Sequence, residues 1–502
     1  MANPIKSLIG QTAVYGLSSI LGRFLNYLLV PFYTRLFLAH EYGVVTELVT
    51  YVGFLLIVLT YGMETGLFRF SQQKEYRKEE IYATSLSSLF VTSFIFIVLV
   101  LLFYHDIADI LDYSNHPEYI LLLGITVAID AFSAIPFAEL RIKNRAARFA
   151  TIKFINIGLN IFFNLFFLVF CPKVLGDDNF VYSLFYNHLD LGYIFISYVL
   201  TSFITLLILI PEILSAFKKM AFNGVLLKQM LKYSFPLMFA GLAGMTSETL
   251  DRILLKYYLV VPAAVENGSE YIMSQIGIYG ANIKIAILMV LFIQAFRYAA
   301  EPFFFNYSKN TDAKQLYANV MKYFIIFGLY VFVGITLFID VVKFLIGADY
   351  REGLEIVPIL LMSKLFFGII FNLSIWYKLT NLTKYGAILA FSGAFVSVVL
   401  NIMLIPKYGY LGSAWASFFS YLMVMILSFF VGKRYYKIKY DLLNIFIYFS
   451  LAISIYFINI FIRELTDYYL IVNILMLIIF SLFIIKKEHI SVKNLSIKSF
   501  FK

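Results

Sequence analysis

Residues 279–305 read YGANIKIAILMVLFIQAFRYAAEPFFF, a stretch apolar enough to cross a bilayer that nevertheless carries Lys284, Arg297 and Glu301. A hydrocarbon core of roughly 30 Å requires about 20 mostly apolar residues in one helix. Comparable apolar runs recur along the whole chain, so a single membrane anchor is excluded. The stretch therefore predicts an all-α polytopic membrane protein.

Composition supports this class and excludes others. Hydrophobic residues make up 61% of the 502 residues and charged residues 14%, against about 25% charged in soluble domains. The net charge of +10 is spread over short loops, which argues against nucleic-acid binding. Cys171 is the single cysteine, and the five histidines lack metal-ligand spacing, so no metal or cofactor is expected. No phosphate-binding loop motif occurs, and the amino-terminal segment is expected to be retained.

The charges, prolines and glycines divide the chain into about fourteen transmembrane helices. They are predicted at approximately residues 9–33, 42–69, 83–104, 117–140, 148–171, 189–211, 232–258, 275–304, 316–339, 352–378, 383–405, 410–432, 441–462 and 467–485. Loops rich in Lys and Arg, such as 141–148 and 433–439, alternate with loops poor in both. This alternation predicts that both termini are cytoplasmic.

An internal repeat suggests how the helices are organised. Residues 42–68 align without a gap over 279–305, pairing Tyr42 with Tyr279, Gly43 with Gly280, Tyr61 with Tyr298, Glu64 with Glu301, Phe68 with Phe305, and Glu47 with Lys284. A second echo, LNI, occurs at 159–161 and 400–402. We therefore expect two parallel six-helix lobes, 1–211 and 232–432, with a cytoplasmic linker at 212–231 and two extra helices with a tail at 433–502. Parallel repeats around a cavity are a recurring transporter plan.

Charged residues inside the predicted helices are the main functional signal. A charge at mid-bilayer costs about 3 to over 10 kcal/mol, so such residues usually face a partner or a water-filled cavity. Five basic residues predict a cationic central site that suits an anionic substrate: Arg23, Arg252, Lys284, Arg297 and Lys364. Gln294, Arg297 and Glu301 share a helix face, whereas Lys284 lies well round the helix.

The remaining intramembrane charges are candidates for ion pairs or for coupling transport to protons or sodium. These residues are Glu64, Asp130, Lys153, Glu248, Asp251 and Glu301, with Glu47 and Lys256 also in apolar helices. The four-residue spacing of Glu248 and Arg252 suits an ion pair, as an alternative to a cavity role. Asp130 and Lys153 are expected to pair between neighbouring helices.

Two motifs carry a family resemblance. PFYTRLFLAHEYG at 31–43 and PKYGYLGSAWASFFSY at 406–421 closely resemble the polysaccharide transporter family, the lipid-linked oligosaccharide flippases of the multidrug, oligosaccharidyl-lipid and polysaccharide exporter superfamily. The matching features are Tyr42-Gly43 between the first two helices and the small-residue segment 409–417. Helix count, loop lengths and repeat order extend the similarity over nearly the whole chain.

The resemblance implies an alternating-access flippase in a bacterial cytoplasmic (inner) membrane. Its cargo would be an undecaprenyl-pyrophosphate-linked oligosaccharide repeat unit for O-antigen, capsule or exopolysaccharide synthesis, and association with polymerase machinery would follow. The family's basic cavity residues carry over to Arg23, Arg252 and Arg297. A multidrug exporter of the same superfamily and a membrane oligosaccharide polymerase or ligase are the alternatives, and only the last is an enzyme. An exporter of cations predicts an acidic cavity, and a polymerase predicts a long periplasmic loop.

Overall fold

A computed structural model describes residues 25, 27–73, 75–175, 191–217, 222–308, 310–380, 382–466 and 468–489, and nearly all of them are helical. The first helices are α1 (Leu29–Leu36), α2 (Ala39–Thr60), α3 (Met63–Phe70), α4 (Lys78–Ile110), α5 (Pro117–Ile142), α6 (Ala146–Leu165), α7 (Cys171–Leu175), α8 (Gly192–Ile208), α9 (Ile210–Phe217) and α10 (Gly224–Tyr258). They are followed by α11 (Gly268–Tyr307), α12 (Ala313–Leu337), α13 (Ile339–Val342), α14 (Ile356–Leu373), α15 (Ile375–Leu379), α16 (Lys384–Tyr435), α17 (Leu442–Leu465) and α18 (Tyr469–Lys487).

Ten helices in the described part of the chain are long and apolar enough to cross a membrane, or eleven if the bent pair α8 and α9 forms one span. α10 is not among them, and most of the first predicted helix lies outside the described residues. α16 runs for 52 residues, about twice the length that crosses a bilayer. Its backbone leaves helical geometry at Gly409, where φ is 56°, a value that glycine adopts without strain. The protein is thus a multi-pass helical membrane protein, and the count of fourteen stays a prediction.

The described chain divides into two compact units. The first comprises residues 1–281 and 384–420, and the second 282–383 and 421–502. α11 and α16 each contribute one part to each unit. The predicted linker 212–231 is helical at both ends, in α9 and α10, and the lobes 1–211 and 232–432 remain a prediction.

In the first unit, α2 and the start of α11 approach each other backbone to backbone. A Cβ on Gly43 would lie 1.9 Å from the carbonyl oxygen of Met273, and a Cβ on Gly277 would lie 1.9 Å from that of Ala39. Small residues allow this kind of close crossing in membrane helices, where dispersion contacts and weak hydrogen bonds drive association. The crossing brings the amino-terminal halves of α2 and α11 together.

In the second unit, the last two helices cap the end of α12. The Asn473 side chain in α18 donates to the Leu337 carbonyl at 2.6 Å, and Asn459 in α17 donates to the Thr336 carbonyl at 3.4 Å. These carbonyls belong to the last turn of α12, where no further helical N–H is available. In the first half of α12, Lys322 pairs at 2.5 Å with Glu488, the residue that follows α18. α17 and α18 are therefore both tied to the end of α12, and the end of α18 is also tied to the first half of α12.

Candidate functional site

A fully buried carboxylate lies at the centre of a polar cluster in the first unit. Glu47 in α2 has no exposed surface, and its Oε1 lies 3.3 Å from Nζ of Lys256 in α10. Tyr113, in the loop after α4, donates its hydroxyl to Glu47 Oε2 at 2.6 Å. Lys256 also donates to the Leu111 carbonyl at 2.5 Å and lies 3.6 Å from Asp112. We call Glu47, Lys256, Tyr113 and Asp112 the Glu47 cluster; it joins α2, α10 and the loop after α4 through ion pairs and hydrogen bonds.

Asp251 is also satisfied inside the protein. It is buried, and Tyr279 in α11 donates its hydroxyl to Oδ2 at 2.6 Å. The other carboxylate oxygen accepts the backbone N–H of Arg252 at 2.9 Å. Both oxygens are thus occupied, which is the usual condition of a buried carboxylate.

Arg252 differs from these residues. Its half-buried guanidinium interacts electrostatically with the hydroxyls of Tyr42 and Tyr279, the two tyrosines that the internal repeat makes equivalent. No described carboxylate lies within salt-bridge distance of the guanidinium. The predicted pair with Glu248 is not formed, and the Glu248 side chain is exposed.

Glu64, Asp130 and Lys153 belong to the first unit, and the predicted coupling role of this set stays a prediction. Lys153 interacts with both carboxylates, and Asp130 also interacts with Ser202. The Lys153 ammonium lies 4.1 Å from the centre of the Phe137 ring, and Glu64 also interacts with Arg141. Cations from α5 and α6 therefore act electrostatically on both carboxylates, and for both of them burial is the larger effect.

Arg297 belongs to the second unit, in the last third of α11. Its side chain is exposed, and its guanidinium carbon lies 4.6 Å from the centre of the Phe371 ring in α14. No described carboxylate lies within salt-bridge distance. The ring fixes the guanidinium while its N–H donors stay free of an anionic partner among the described residues.

The other predicted basic residues occupy different surroundings. Lys364 in α14 is buried, with its ammonium 5.5 Å from the Tyr421 ring centre. Lys284 is half-buried in α11 and belongs to the second unit. Arg23 and the Glu301 side chain lie outside the described residues. Within the described chain, no group of three or more His, Cys, Asp or Glu side chains is placed to hold a metal ion.

Reasoning from the sequence did not identify Tyr113 or the roles of Tyr42 and Tyr279 beside Arg252. Tyr113 follows Asp112, whose φ of 62° is left-handed, in a loop without periodicity. The repeat alignment pairs Tyr42 with Tyr279, so the sequence did contain a signal for these two tyrosines. With 38 tyrosines in the chain, composition alone did not single out any of them.

The backbone resembles solved membrane transporters. "Lipid II flippase MurJ, inward closed conformation" superposes with a TM-score of 0.66 at 16% identity, covering 94% of this chain and 99% of that chain. The MATE multidrug transporter DinF-BH gives 0.58 at 15% identity, covering 86% and 96%. An outward-facing MATE family transporter of the MOP superfamily gives 0.53 at 14% identity, with the same coverage. These likenesses define the class as a multi-pass protein with the fold of MurJ and the MATE transporters.

The family follows from the sequence itself. Residues 8–308 match the model of the polysaccharide biosynthesis protein family. The chain belongs to this family, and the family predicted from the two motifs is confirmed. No curated protein matches the sequence.

Proposed function

We propose that the protein is a flippase that moves undecaprenyl-pyrophosphate-linked oligosaccharide repeat units from the cytoplasmic to the periplasmic leaflet by alternating access. The proposal starts from family membership and from the fold shared with a lipid II flippase. It includes a bacterial inner-membrane location with both termini cytoplasmic, and association with polysaccharide polymerase machinery.

The proposal rests mainly on the surroundings of two arginines, Arg252 and Arg297. Arg252 lies in the predicted span 232–258 and Arg297 in the predicted span 275–304, and neither has a carboxylate within salt-bridge distance among the described residues. A guanidinium in this position is costly unless a cavity or a ligand compensates it. Pyrophosphate supplies concentrated negative charge, and arginine binds its oxygens through two parallel N–H donors.

The intramembrane charges also help to judge the alternative function, export of a small molecule. MATE transporters share the fold, so export of a small molecule is the second candidate. Lys153 acts electrostatically on the carboxylates Glu64 and Asp130, which weakens their attraction for a cationic drug. The described charges favour an anionic cargo.

Flux in proteoliposomes tests the proposal. Labelled undecaprenyl-pyrophosphate oligosaccharide is supplied on one side, and its appearance on the other side is measured with a membrane-impermeant lectin. Arg297→Ala is expected to lose nearly all flux while the protein remains folded, and Arg297→Lys tests whether charge alone suffices. Full flux in Arg297→Ala contradicts the assignment.

A matched control uses the same aromatic ring. Lys378 in α15 also places its ammonium over Phe371, at 4.8 Å, and like Arg297 it lies at the end of a candidate span. Lys378→Ala removes a positive charge from this ring and is expected to keep at least about half of the flux. Equal loss in both variants assigns the effect to the ring's surroundings and not to Arg297.

Coupling to an ion gradient is part of the proposal and has its own readout. Glu64 and Glu301, equivalent in the repeat, are the proposed coupling residues for protons or sodium. Ionophores that collapse each gradient in turn are expected to reduce flux for one of the two ions. Flux that is unchanged by both ionophores removes the coupling role.

A further inference from the structure

A charged cavity of about 330 Å³ lies in the second unit, where several spans end. Its walls come from the end of α12, the segment that follows, the start of α14 and the end of α17. The charged lining residues are Asp340, Lys343, Arg351, Glu355 and Arg463. Because candidate spans end here, we place the cavity near the boundary between the hydrocarbon core and water.

Asp340 already has its partners within the protein. Lys343 donates to Oδ1 at 2.9 Å, and Nη2 of Arg463 lies 3.2 Å from Oδ2. Although burial opposes ionisation, the hydrogen bond from Lys343 and the charge of Arg463 hold the pKa of Asp340 below its usual value. This triad is an internal ion network and needs no ligand.

Arg351 and Glu355 are different, because each lacks an oppositely charged partner among the described residues. They lie four residues apart, a spacing at which an α-helix would bring them together. The segment Ala348–Glu355 is instead a 3₁₀ helix with three residues per turn, so residues four apart point in different directions. The Arg351 guanidinium is held 5.0 Å from the Phe344 ring centre. The cavity therefore presents one positive and one negative group, held apart.

The surroundings of the cavity are apolar. Exposed apolar side chains occur in the adjoining segment and along α17: Val341, Phe344, Leu345, Phe457, Ile460 and Phe461. An apolar surface beside a charged cavity at the end of membrane spans matches the two parts of a phospholipid, acyl chains and headgroup. A soluble ligand would not require the apolar part.

We infer that this cavity binds the headgroup of a zwitterionic aminophospholipid, with the phosphate at Arg351 and the primary ammonium at Glu355. The positive charge of Arg351 and the negative charge of Glu355 complement the negative phosphate and the positive ammonium of a phosphoethanolamine headgroup. A phosphatidylglycerol headgroup leaves Glu355 unpartnered, and a phosphatidylcholine headgroup has no N–H to donate to it.

Native mass spectrometry of the purified full-length protein tests this inference. Phosphatidylethanolamine, phosphatidylcholine and phosphatidylglycerol with identical acyl chains are added at equal concentrations. The wild-type protein is expected to prefer phosphatidylethanolamine by about tenfold, as one charge-assisted hydrogen bond predicts. Equal binding of the three lipids overturns the inference.

Variants assign the two charges separately. Glu355→Gln is expected to abolish the preference while binding of all three lipids persists, and Arg351→Gln is expected to weaken all three. Glu352→Gln is the matched control, because Glu352 lies in the same 3₁₀ helix, is exposed and does not line the cavity. A preference that survives Glu355→Gln, or is lost in Glu352→Gln, contradicts the assignment.

Two further experiments use a conservative variant of Arg351 and a soluble competitor. Where Arg351→Gln fails to fold, Arg351→Lys retains the charge and is expected to keep the preference with weaker binding. Soluble phosphoethanolamine is expected to compete poorly, because it lacks acyl chains. Competition by phosphoethanolamine at the concentration at which the lipid binds overturns the lipid assignment.

Discussion

Lys256 and Arg297 are both cations in long helices of a membrane protein, and the structure surrounds them differently. Lys256 is 7% exposed and contacts Glu47, Asp112 and a backbone carbonyl. Arg297 is exposed, and its guanidinium packs on an aromatic ring with no carboxylate of the described residues beside it. A charge whose partners lie within the protein stabilises the fold, whereas a charge without such a partner is available to a ligand. The comparison separates structural charges from candidate cargo-binding charges.

The largest expected effect on stability is in the Glu47 cluster. Lys256→Met leaves the fully buried Glu47 carboxylate without its cation, and removing one partner of a buried pair costs about 3–5 kcal/mol. Thermal unfolding of the purified protein in detergent measures the loss. Lys228→Met, at an exposed position of the same helix, is the control and is expected to change little. Equal losses in the two variants mean that the Glu47 cluster is not a structural pair.

The double variant Glu47→Gln/Lys256→Met sharpens this result. Removing both charges eliminates the orphaned carboxylate, so much of the stability lost in Lys256→Met is expected to return. Stability that falls further in the double variant shows that Glu47 acts independently of Lys256.

A smaller loss is expected from the hydroxyl that completes the cluster. Tyr113→Phe removes the 2.6 Å hydrogen bond to Glu47 but keeps the ring beside Lys256. A hydrogen bond to a charged group contributes about 1.5–3 kcal/mol, and the same unfolding assay measures it. An unchanged unfolding temperature contradicts this role for Tyr113.

The smallest effect is expected at Glu248, which the sequence had suggested as a partner of Arg252. The side chain is exposed and forms no ion pair with a described residue, so Glu248→Gln is expected to change stability by less than about 0.5 kcal/mol. Glu212→Gln is the contrast, because Glu212 is buried and accepts two bonds from Arg148, at 2.5 and 2.9 Å. A larger loss of stability in Glu248→Gln than in Glu212→Gln would contradict the distinction between paired and unpaired charges.

Helix placement was largely predictable because the requirement for about 20 apolar residues is local. The break at Gly409 falls between the predicted helices 383–405 and 410–432, since glycine and proline mark such points in sequence. The close crossing at Gly43 and Gly277 was not predictable from length or hydropathy. It depends on which helices become neighbours and on how each is rotated.

The partners of charged residues were harder to predict for the same reason. Lys153 interacts electrostatically with Asp130, and the ion pair suggested by their neighbouring helices stays a prediction. Glu248 and Arg252 share a helix face and still do not pair, because shared spacing does not fix side-chain direction. Lys256 pairs with Glu47 through a tertiary contact between α2 and α10, and no local sequence pattern predicts that contact.

The central proposal is that Arg252 and Arg297, which have no carboxylate partner among the described residues, each contribute to binding the pyrophosphate of the cargo. Native mass spectrometry measures the binding of undecaprenyl pyrophosphate to the wild-type protein and tests the proposal directly. The variants compared with it are Arg252→Ala, Arg297→Ala and the double variant Glu47→Gln/Lys256→Met, which removes both charges of the buried pair. Each arginine variant is expected to bind about 10- to 100-fold more weakly, as loss of a charge-assisted contact implies, and the double variant is expected to bind nearly as tightly as the wild type. Wild-type affinity in both arginine variants, or loss of binding in the double variant alone, would contradict it.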